Sequence, residues 1–565
     1  MTSRSKIRVV IVGIVTLIDS FLRTDAISIA QPPQPIPPGY VRTNPAFVEG
    51  EVIVRYKEHH IGETNLAKRE DKIRQLGIAL QDKFPVAVVT THPGLGAQRL
   101  KLPPGGSVKS AIQNLKTFSE IEYAEPNYKI FPLFSSPPGD RYWLQGPLSL
   151  WGMKRIGMEQ TWTSSVNVAD SIIIAVLDTG IDYYHPDLSS QIWNNSGEYG
   201  KTQNEDDDGN NIIDDIHGVN YCWPTDSRYG KQYPTGNPLD TDGHGTAVAG
   251  VIGAAVDNSS SEGQGYVAGV HRKAKLMALK VLCADTDPEP STVLHAAEAI
   301  NYAWQHGATV LNASWYVGTG TAITSEITGA ATGSTIIRQA ISDARDHGAL
   351  FVVAAGNSSA QQDNDSISVY PANYGRVGAA DYLDNVMAVA ATWDLCTDGQ
   401  SLDTNPSDTI HYGKCFNGST PSEKLWENSH FGLNSVAIAA PGWLTYTTMP
   451  LSLEPLGVTW PDGTSMAAPH VAGCAALLRA KNAATSPVLH FSPNAVKQIL
   501  INNADSVSSI TGITNGRRLN CFKAYEATTR ANVLNGGNLL GGEGLDLAPP
   551  APPAPPAPPA GIRVQ

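Results

Sequence analysis

A chain of 565 residues is too long for one ordinary domain, and 41% hydrophobic against 16% charged residues describes a core-forming protein rather than a disordered one. A formal net charge of −13 argues against nucleic acid as a partner. Six cysteines fit an oxidising compartment without making a disulfide scaffold of a chain this long.

The N-terminus reads as an address. Arg4, Lys6 and Arg8 precede the apolar run VVIVGIVTLI (Val9 to Ile18), and Ser28, Ile29 and Ala30 offer small residues for cleavage, so residues 1–30 read as a secretory signal peptide. The run is closed by Asp19 and falls short of the roughly 20 residues that span a bilayer. No stable membrane anchor is expected, and the product is expected to be secreted.

Residues 31–48 hold the Pro-rich spacer QPPQPIPPG. In residues 49–130, EVIVRY reads as a strand and ETNLAKREDKIRQLG as a helix ended by Gly77. VAVVTT and QRLKL read as strands, SVKSAIQNL as a helix opened by Ser107, and IEYAEPNYKI as a last strand. The order β-α-β-β-α-β predicts a small ferredoxin-like α+β domain.

After a loose linker at 131–139, residues 140–530 alternate short apolar runs with helical segments. SIIIAVLDTG, KLMALKVLCA, ATVLNASW, GALFVVAAGN and NVMAVAATWD are too continuously apolar for a one-sided sheet, and they suit strands of a mostly parallel sheet buried on both faces. VLHAAEAINYAWQHG and IIRQAISDARDHG supply helices between them, so the fold class is α/β, with active groups expected where strands end in loops. Residues 531–565 close the chain with a Gly/Pro-rich tail that belongs to no core. Cys396 and Cys415 flank a polar loop and form the best candidate disulfide, whereas Cys474 reads as a buried free thiol. Partners for Cys222, Cys283 and Cys521 stay open.

Three polar residues stand at strand-to-helix junctions with glycines beside them. VLDTGID puts Asp178 at the end of a buried strand, DTDGHGTAVAG puts His244 between two glycines, and DGTSMAAPH puts Ser465 at the start of a small-residue helix. Singly they read as a cap, a loop imidazole and another cap. Together they are the set acyl transfer needs: a hydroxyl nucleophile, an imidazole to take its proton, and a carboxylate to orient the imidazole.

These motifs, in the order Asp, His, Ser, resemble those of the subtilisin-like serine proteases (subtilases). The resemblance covers about residues 140–530 and implies a subtilisin-like three-layer fold. It implies Ser465 as nucleophile, His244 as general base and acid, and Asp178 as its orienting carboxylate. It places the N–H of Ser465 and the side-chain amide of Asn357, from FVVAAGNSS, at the oxyanion. Pro469 is expected in the first helical turn, where N–H groups have no helical partner. Polypeptide substrate is implied to lie along NASWYVG, with Ser314, Trp315, Tyr316, Ala355 and Gly356 as binding residues; the family usually carries Gly where this chain has Tyr316. EVIVRYK and IEYAEPNY resemble the ends of the family's inhibitor prodomain, which implies a self-processing zymogen, acting as a monomer, cleaved between about residues 129 and 140.

NEDDDGNNIIDD concentrates oxygen ligands around Gly209. Asn204, Asp206, Asp208, Asn210 and Asp215 approximate an EF-type calcium loop, with a late carboxylate and a turn Gly, so a structural Ca2+ is expected there. An α/β-hydrolase esterase fits less well, because Ala467 replaces the second Gly of G-x-S-x-G and His244 precedes Ser465 instead of following it. A catalytically silent binding protein is disfavoured by the intact set Asp178, His244, Asn357 and Ser465.

Overall fold

The computed structural model describes residues 47–132, 150–165, 172–222, 234–255, 267–284, 287, 290–317, 333–358, 361–395, 422–485, 491–510 and 516–528. The stretches read as signal peptide and tail, most of the spacer and linker, and Cys396 with Cys415 lie outside the described residues.

The N-terminal domain follows its predicted order. Strand β1 (Phe47–Tyr56) leads to helix α1 (Leu66–Gln81), the antiparallel pair β2 (Ala87–His92) and β3 (Ala97–Lys101), helix α2 (Val108–Leu115) and strand β4 (Ile121–Tyr128). The sheet order β2-β3-β1-β4 is antiparallel throughout, as a ferredoxin-like sandwich requires. Both helices are opened by side-chain caps: Asn65 accepts from Lys68 N–H, and Ser107 from Ser110 N–H. Val52, Val54, Ile73, Leu80, Leu100 and Leu115 fill the core between sheet and helices. A short strand, β5 (Ile130–Pro132), then leaves this domain.

The large domain is built on strands β6 (Ile173–Asp178), β7 (Gly218–Asn220), β8 (Lys275–Lys280), β9 (Ala308–Ala313), β11 (Leu350–Ala354), β12 (Val386–Leu395) and β13 (Ile438–Pro441). They pair in parallel in the order β13-β12-β11-β9-β6-β8-β7, and β10 (Trp315–Val317) follows β9 at the carboxyl edge of the sheet. Alternate residues face opposite ways, as strand geometry demands. Ile174 and Val176 join one core, under helices α3 (His244–Gly253) and α6 (Thr464–Thr485). Ala175 and Leu177 join the other, under α4 (Val293–Gln305) and α5 (Thr335–Asp346). Helix, sheet and helix make three layers, and both strand faces are buried because both are covered.

Two expectations are corrected. Pro469 sits inside α6, beyond its first turn, so its missing N–H would have bonded the carbonyl of Ser465 four residues earlier. That carbonyl accepts instead from Ser314 Oγ at 2.9 Å, which is how the helix accommodates the proline there. Cys474 is not a free thiol: it is disulfide-bonded to Cys521 at the start of α7 (Cys521–Ala527), while Cys222 pairs with Cys283. Burial had suggested an inert thiol, but the C-terminal helix packs directly on α6 and brings the second sulfur to it.

The Cys474–Cys521 bond joins positions 47 residues apart, so the loop-closure model assigns it about 4 kcal/mol through restriction of the unfolded chain. A Cys474→Ser variant is therefore expected to unfold at clearly lower temperature than the parent, measured by differential scanning calorimetry; an unchanged midpoint would remove this staple from the account.

Candidate active site

Parallel strands present all their carboxyl ends on one edge, and three neighbours supply the site. Leu177 of β6, Ala313 of β9 and Val353 of β11 are abreast in register. One residue further on, β6 ends in Asp178 and β9 runs into Ser314; Asn357 lies in the turn that leaves β11.

His244 is the first residue of α3 and is buried together with Asp178. Its Nδ1 lies 2.6 Å from Asp178 Oδ1, which also accepts from the Thr179 N–H at 2.8 Å. Gly245 lets this approach happen: a Cβ there would fall 2.1 Å from the Gly180 carbonyl oxygen and 3.0 Å from the Asp178 Cβ. Behind the pair, buried Asp240 accepts from the N–H groups of Asp242, Gly243 and Thr246 and from the hydroxyls of Thr179 and Thr246. Burial by itself would push the His244 pKa down. The charge and hydrogen bond of Asp178, with Asp242 and Asp240 further off, outweigh it and hold the imidazole above the ordinary histidine value.

Ser465 is the second residue of α6, is buried, and α6 packs directly against α3. The two segments are knitted to the strand ends. Ser314 Oγ receives from Asn312 Nδ2 at 3.0 Å and donates to the Ser465 carbonyl. Asn357 Oδ1 accepts from the Thr464 N–H at 3.0 Å and from its hydroxyl at 2.8 Å, while Thr464 Oγ1 accepts from the Gly356 N–H at 3.2 Å. Those bonds fix which way the Asn357 amide faces: its oxygen is turned to Thr464, so its NH2 projects from the other side.

Of the residues read as substrate-binding, Trp315 contributes backbone only. Its indole is fully buried and donates to the Leu177 carbonyl at 2.9 Å. Strand β10 instead offers its edge, and β5 occupies it: Trp315 pairs with Pro132, Tyr316 with Phe131 and Val317 with Ile130, antiparallel. Ala355 and Gly356 are buried in the turn before Asn357.

The N-terminal domain makes further contacts that no motif disclosed. Buried Glu125 accepts from Ser334 Oγ and from the Thr335 and Ile336 N–H groups at 2.7–3.0 Å and so caps α5; burial pushes its carboxyl up, and these donors offset only part of that. His92 bonds Glu298 on α4; although burial pushes the Glu298 carboxyl up, the His92 contact holds it below its usual range. A glutamate and a histidine in ordinary strand positions carry no local signal of partners 206 to 211 residues away.

The acidic loop is brought together in part. Asp206 accepts from the Gly209, Asn210 and Asn211 N–H groups, and Asn210 Nδ2 donates to Asp215. Oxygens of Asp206 and Asp208 lie within 4.8 Å of a group absent from the sequence reading, Glu198. Asn195, also unforeseen, donates to both Asp208 and Asp215. Asn204 instead gives its N–H to Asp214 across the loop. Glu198 Oε2 is buried without a hydrogen-bond partner, and burial pushes the Glu198 and Asp215 carboxyls up. Clustered carboxylate oxygens around an unsatisfied one fit a hard cation.

Residues 169–533 match a family model described as the subtilase family, and residues 40–127 match one for the fervidolysin N-terminal prodomain. A thermophilic serine proteinase of Bacillus sp. (strain AK1) is 25% identical over 488 residues, covering 85% of this chain and 88% of that protein. Fervidolysin of Fervidobacterium pennivorans is 30% identical over 467 residues, covering 77% of this chain but only 53% of fervidolysin, so the chain spans about half the length of that relative. The crystal structure of fervidolysin shares the fold at a TM-score of 0.54 and 24% identity, over 85% of this chain and 61% of that one. So does the epidermin leader peptide processing serine protease of Staphylococcus aureus, at 0.52 and 18%, over 85% and 98%. With a matched stretch that carries Asp178, His244, Asn357 and Ser465 and a prodomain in front of it, this chain belongs to the subtilase family of serine endopeptidases.

Proposed function

We propose that the protein is a secreted endopeptidase that cuts polypeptides through an acyl-enzyme on Ser465 and is made as a self-processing zymogen. The observation that carries this reading is the buried 2.6 Å contact between His244 Nδ1 and Asp178 Oδ1, on a helix packed against the one that starts at Ser465. A carboxylate can only accept, so the imidazole keeps its proton on Nδ1 and Nε2 is the base. Ser465 Oγ attacks the scissile carbonyl as its proton passes to Nε2. His244 then gives that proton to the leaving amine, and water repeats the sequence on the ester. Negative charge on the tetrahedral oxygen is met by the Ser465 N–H, at a helix N-terminus, and by the Asn357 amide.

The edge of β10 would hold substrate as an extended strand, and β5 models that substrate. Its last paired residue, Pro132, lies opposite Trp315, whose chain neighbour Ser314 bonds the Ser465 carbonyl. Self-cleavage is therefore expected on the carboxyl side of Leu133, which would release the N-terminal domain as an intramolecular inhibitor. Export rests on the signal-like residues 1–30; among the described residues no helix is long and apolar enough to cross a membrane. The enzyme is read as a monomer. Asp206, Asp208, Asp215 and Glu198 would hold a structural Ca2+, whose charge compensates carboxylates that are otherwise crowded.

Wild-type protein should react with a fluorophosphonate probe and yield a mature chain beginning at Phe134, whereas Ser465→Ala should stay unlabelled and full-length; equal labelling of both would end the nucleophile assignment. The base must be unprotonated, so kcat/KM should fall with decreasing pH through an apparent pKa above about 6.5, the ordinary histidine value. A pH–rate profile flat through mild acid would contradict it. Chelation should lower the thermal midpoint of the wild type and leave Glu198→Ala, already lacking a ligand, nearly unmoved. Identical melting with and without chelator in the wild type would count against the cation.

A further inference from the structure

The turn that presents Asn357 is fastened from outside by a residue that no step above uses. Gly356 has φ +123°, a conformation open in practice only to glycine, and a Cβ there would lie 2.6 Å from His430 Nδ1. The His430 ring therefore rests against a bare α carbon, one residue before the amide proposed to meet the oxyanion. Its backbone N–H donates to the Gly356 carbonyl at 2.9 Å. Its Nδ1 lies 3.0 Å from Asn364 Oδ1 and its Nε2 3.1 Å from Ser358 Oγ.

Those contacts determine the tautomer. Asn364 Nδ2 donates to the Ala355 carbonyl at 2.8 Å, so the amide oxygen is the atom facing His430 and can only accept. The imidazole proton is then on Nδ1, and Nε2 accepts from the Ser358 hydroxyl. Asn364 is itself held, giving its N–H to the Phe431 carbonyl and receiving Asn373 Nδ2 at its own carbonyl, each at 2.7 Å. One ring and its partner amide thus grip Ala355, Gly356 and Ser358, on both sides of Asn357. Burial pushes the His430 pKa down to about 4, so the ring stays neutral where His244 works and the tautomer is kept.

We propose that His430 is a positioning residue for the proteolytic reaction, holding the 355–358 turn so that the Asn357 amide meets the charge that develops in the transition state. This rests on the oxyanion role proposed above for Asn357. The side chain acts through the turn, by its contacts with Gly356, Ser358 and Asn364. Displacements of about 1 Å around a reacting centre cost on the order of 100-fold in rate, so a loosened turn is felt in kcat while ground-state binding along β10 is spared.

The test is a double-mutant cycle of His430→Ala and Asn357→Ala on the mature enzyme, with kcat normalised to sites titrated by a fluorophosphonate. His430→Ala alone is expected to lower kcat by roughly 10- to 100-fold with KM within about twofold, and His430→Asn, whose amide can replace the Nδ1 donor toward Asn364, to recover much of that loss. In the Asn357→Ala background the same change is expected to cost less than about threefold, because there is no longer an amide to position. A full additional loss in that background, or a rise in KM with kcat intact, overturns the inference while leaving the oxyanion role of Asn357 standing. If Asn357→Ala keeps wild-type kcat, the oxyanion role fails and the inference falls with it. Should His430→Ala not fold, His430→Gln serves in the cycle, keeping a group near Ser358 while losing the bond to Asn364.

Discussion

The register of three adjacent parallel strands is the constraint on which the rest of this structure depends. With Leu177, Ala313 and Val353 abreast, β6, β9 and β11 finish together, and neighbouring strands are only about 4.8 Å apart. Asp178, Ser314 and the turn of Asn357 are therefore neighbours before any side chain has chosen a rotamer. A one-residue slip of β6 would turn Asp178 to the other face and break its bond to His244. The two-sided burial of these strands makes such a slip costly, because it would exchange the apolar sets of both cores at once.

The helices that start near this edge complete the site, and their composition follows from how close they must come. Every residue of α3 is buried, and it carries Gly245 where backbone and Asp178 crowd it. In α6 the proline and the Ser465 carbonyl form a single arrangement: the N–H that proline lacks is replaced by the hydroxyl of Ser314, so the helix defect becomes a tie between the Ser465 segment and the residue that precedes β10. A Ser-to-Ser contact across 151 residues thus supports both the helix and the strand that would hold the peptide.

On the other face the N-terminal domain uses unsatisfied groups of the large domain as its docking points. The free edge of β10 receives β5, and the N-terminus of α5, whose first N–H groups lack helical partners, receives the carboxylate of Glu125. Ile53, Leu95, Ala97, Tyr128 and Ile130 share the core that lies under α4 and α5. A strand edge, a helix end and an apolar surface are all features that gain from being covered, and the N-terminal domain covers all three.

Much of this was legible in the residues alone. Unbroken apolar runs dictated a doubly covered parallel sheet, and the β-α-β-β-α-β order of the first domain was written in its periodicities and caps. Glycines flanking Asp178, His244 and Ser465 marked them out, because close approach leaves a trace in local composition. Contacts between distant segments leave none. Glu125 and His92 look like any strand residues until α4 and α5 are laid beside them, Glu198 stands outside the loop whose spacing resembles a calcium-binding one, and Cys474 looks solitary until a later helix brings Cys521 to it. The sequence by itself determined which elements form and which groups they offer. Only the tertiary structure decided which of those groups meet, since that depends on the relative placement of elements hundreds of residues apart, a quantity no local pattern encodes.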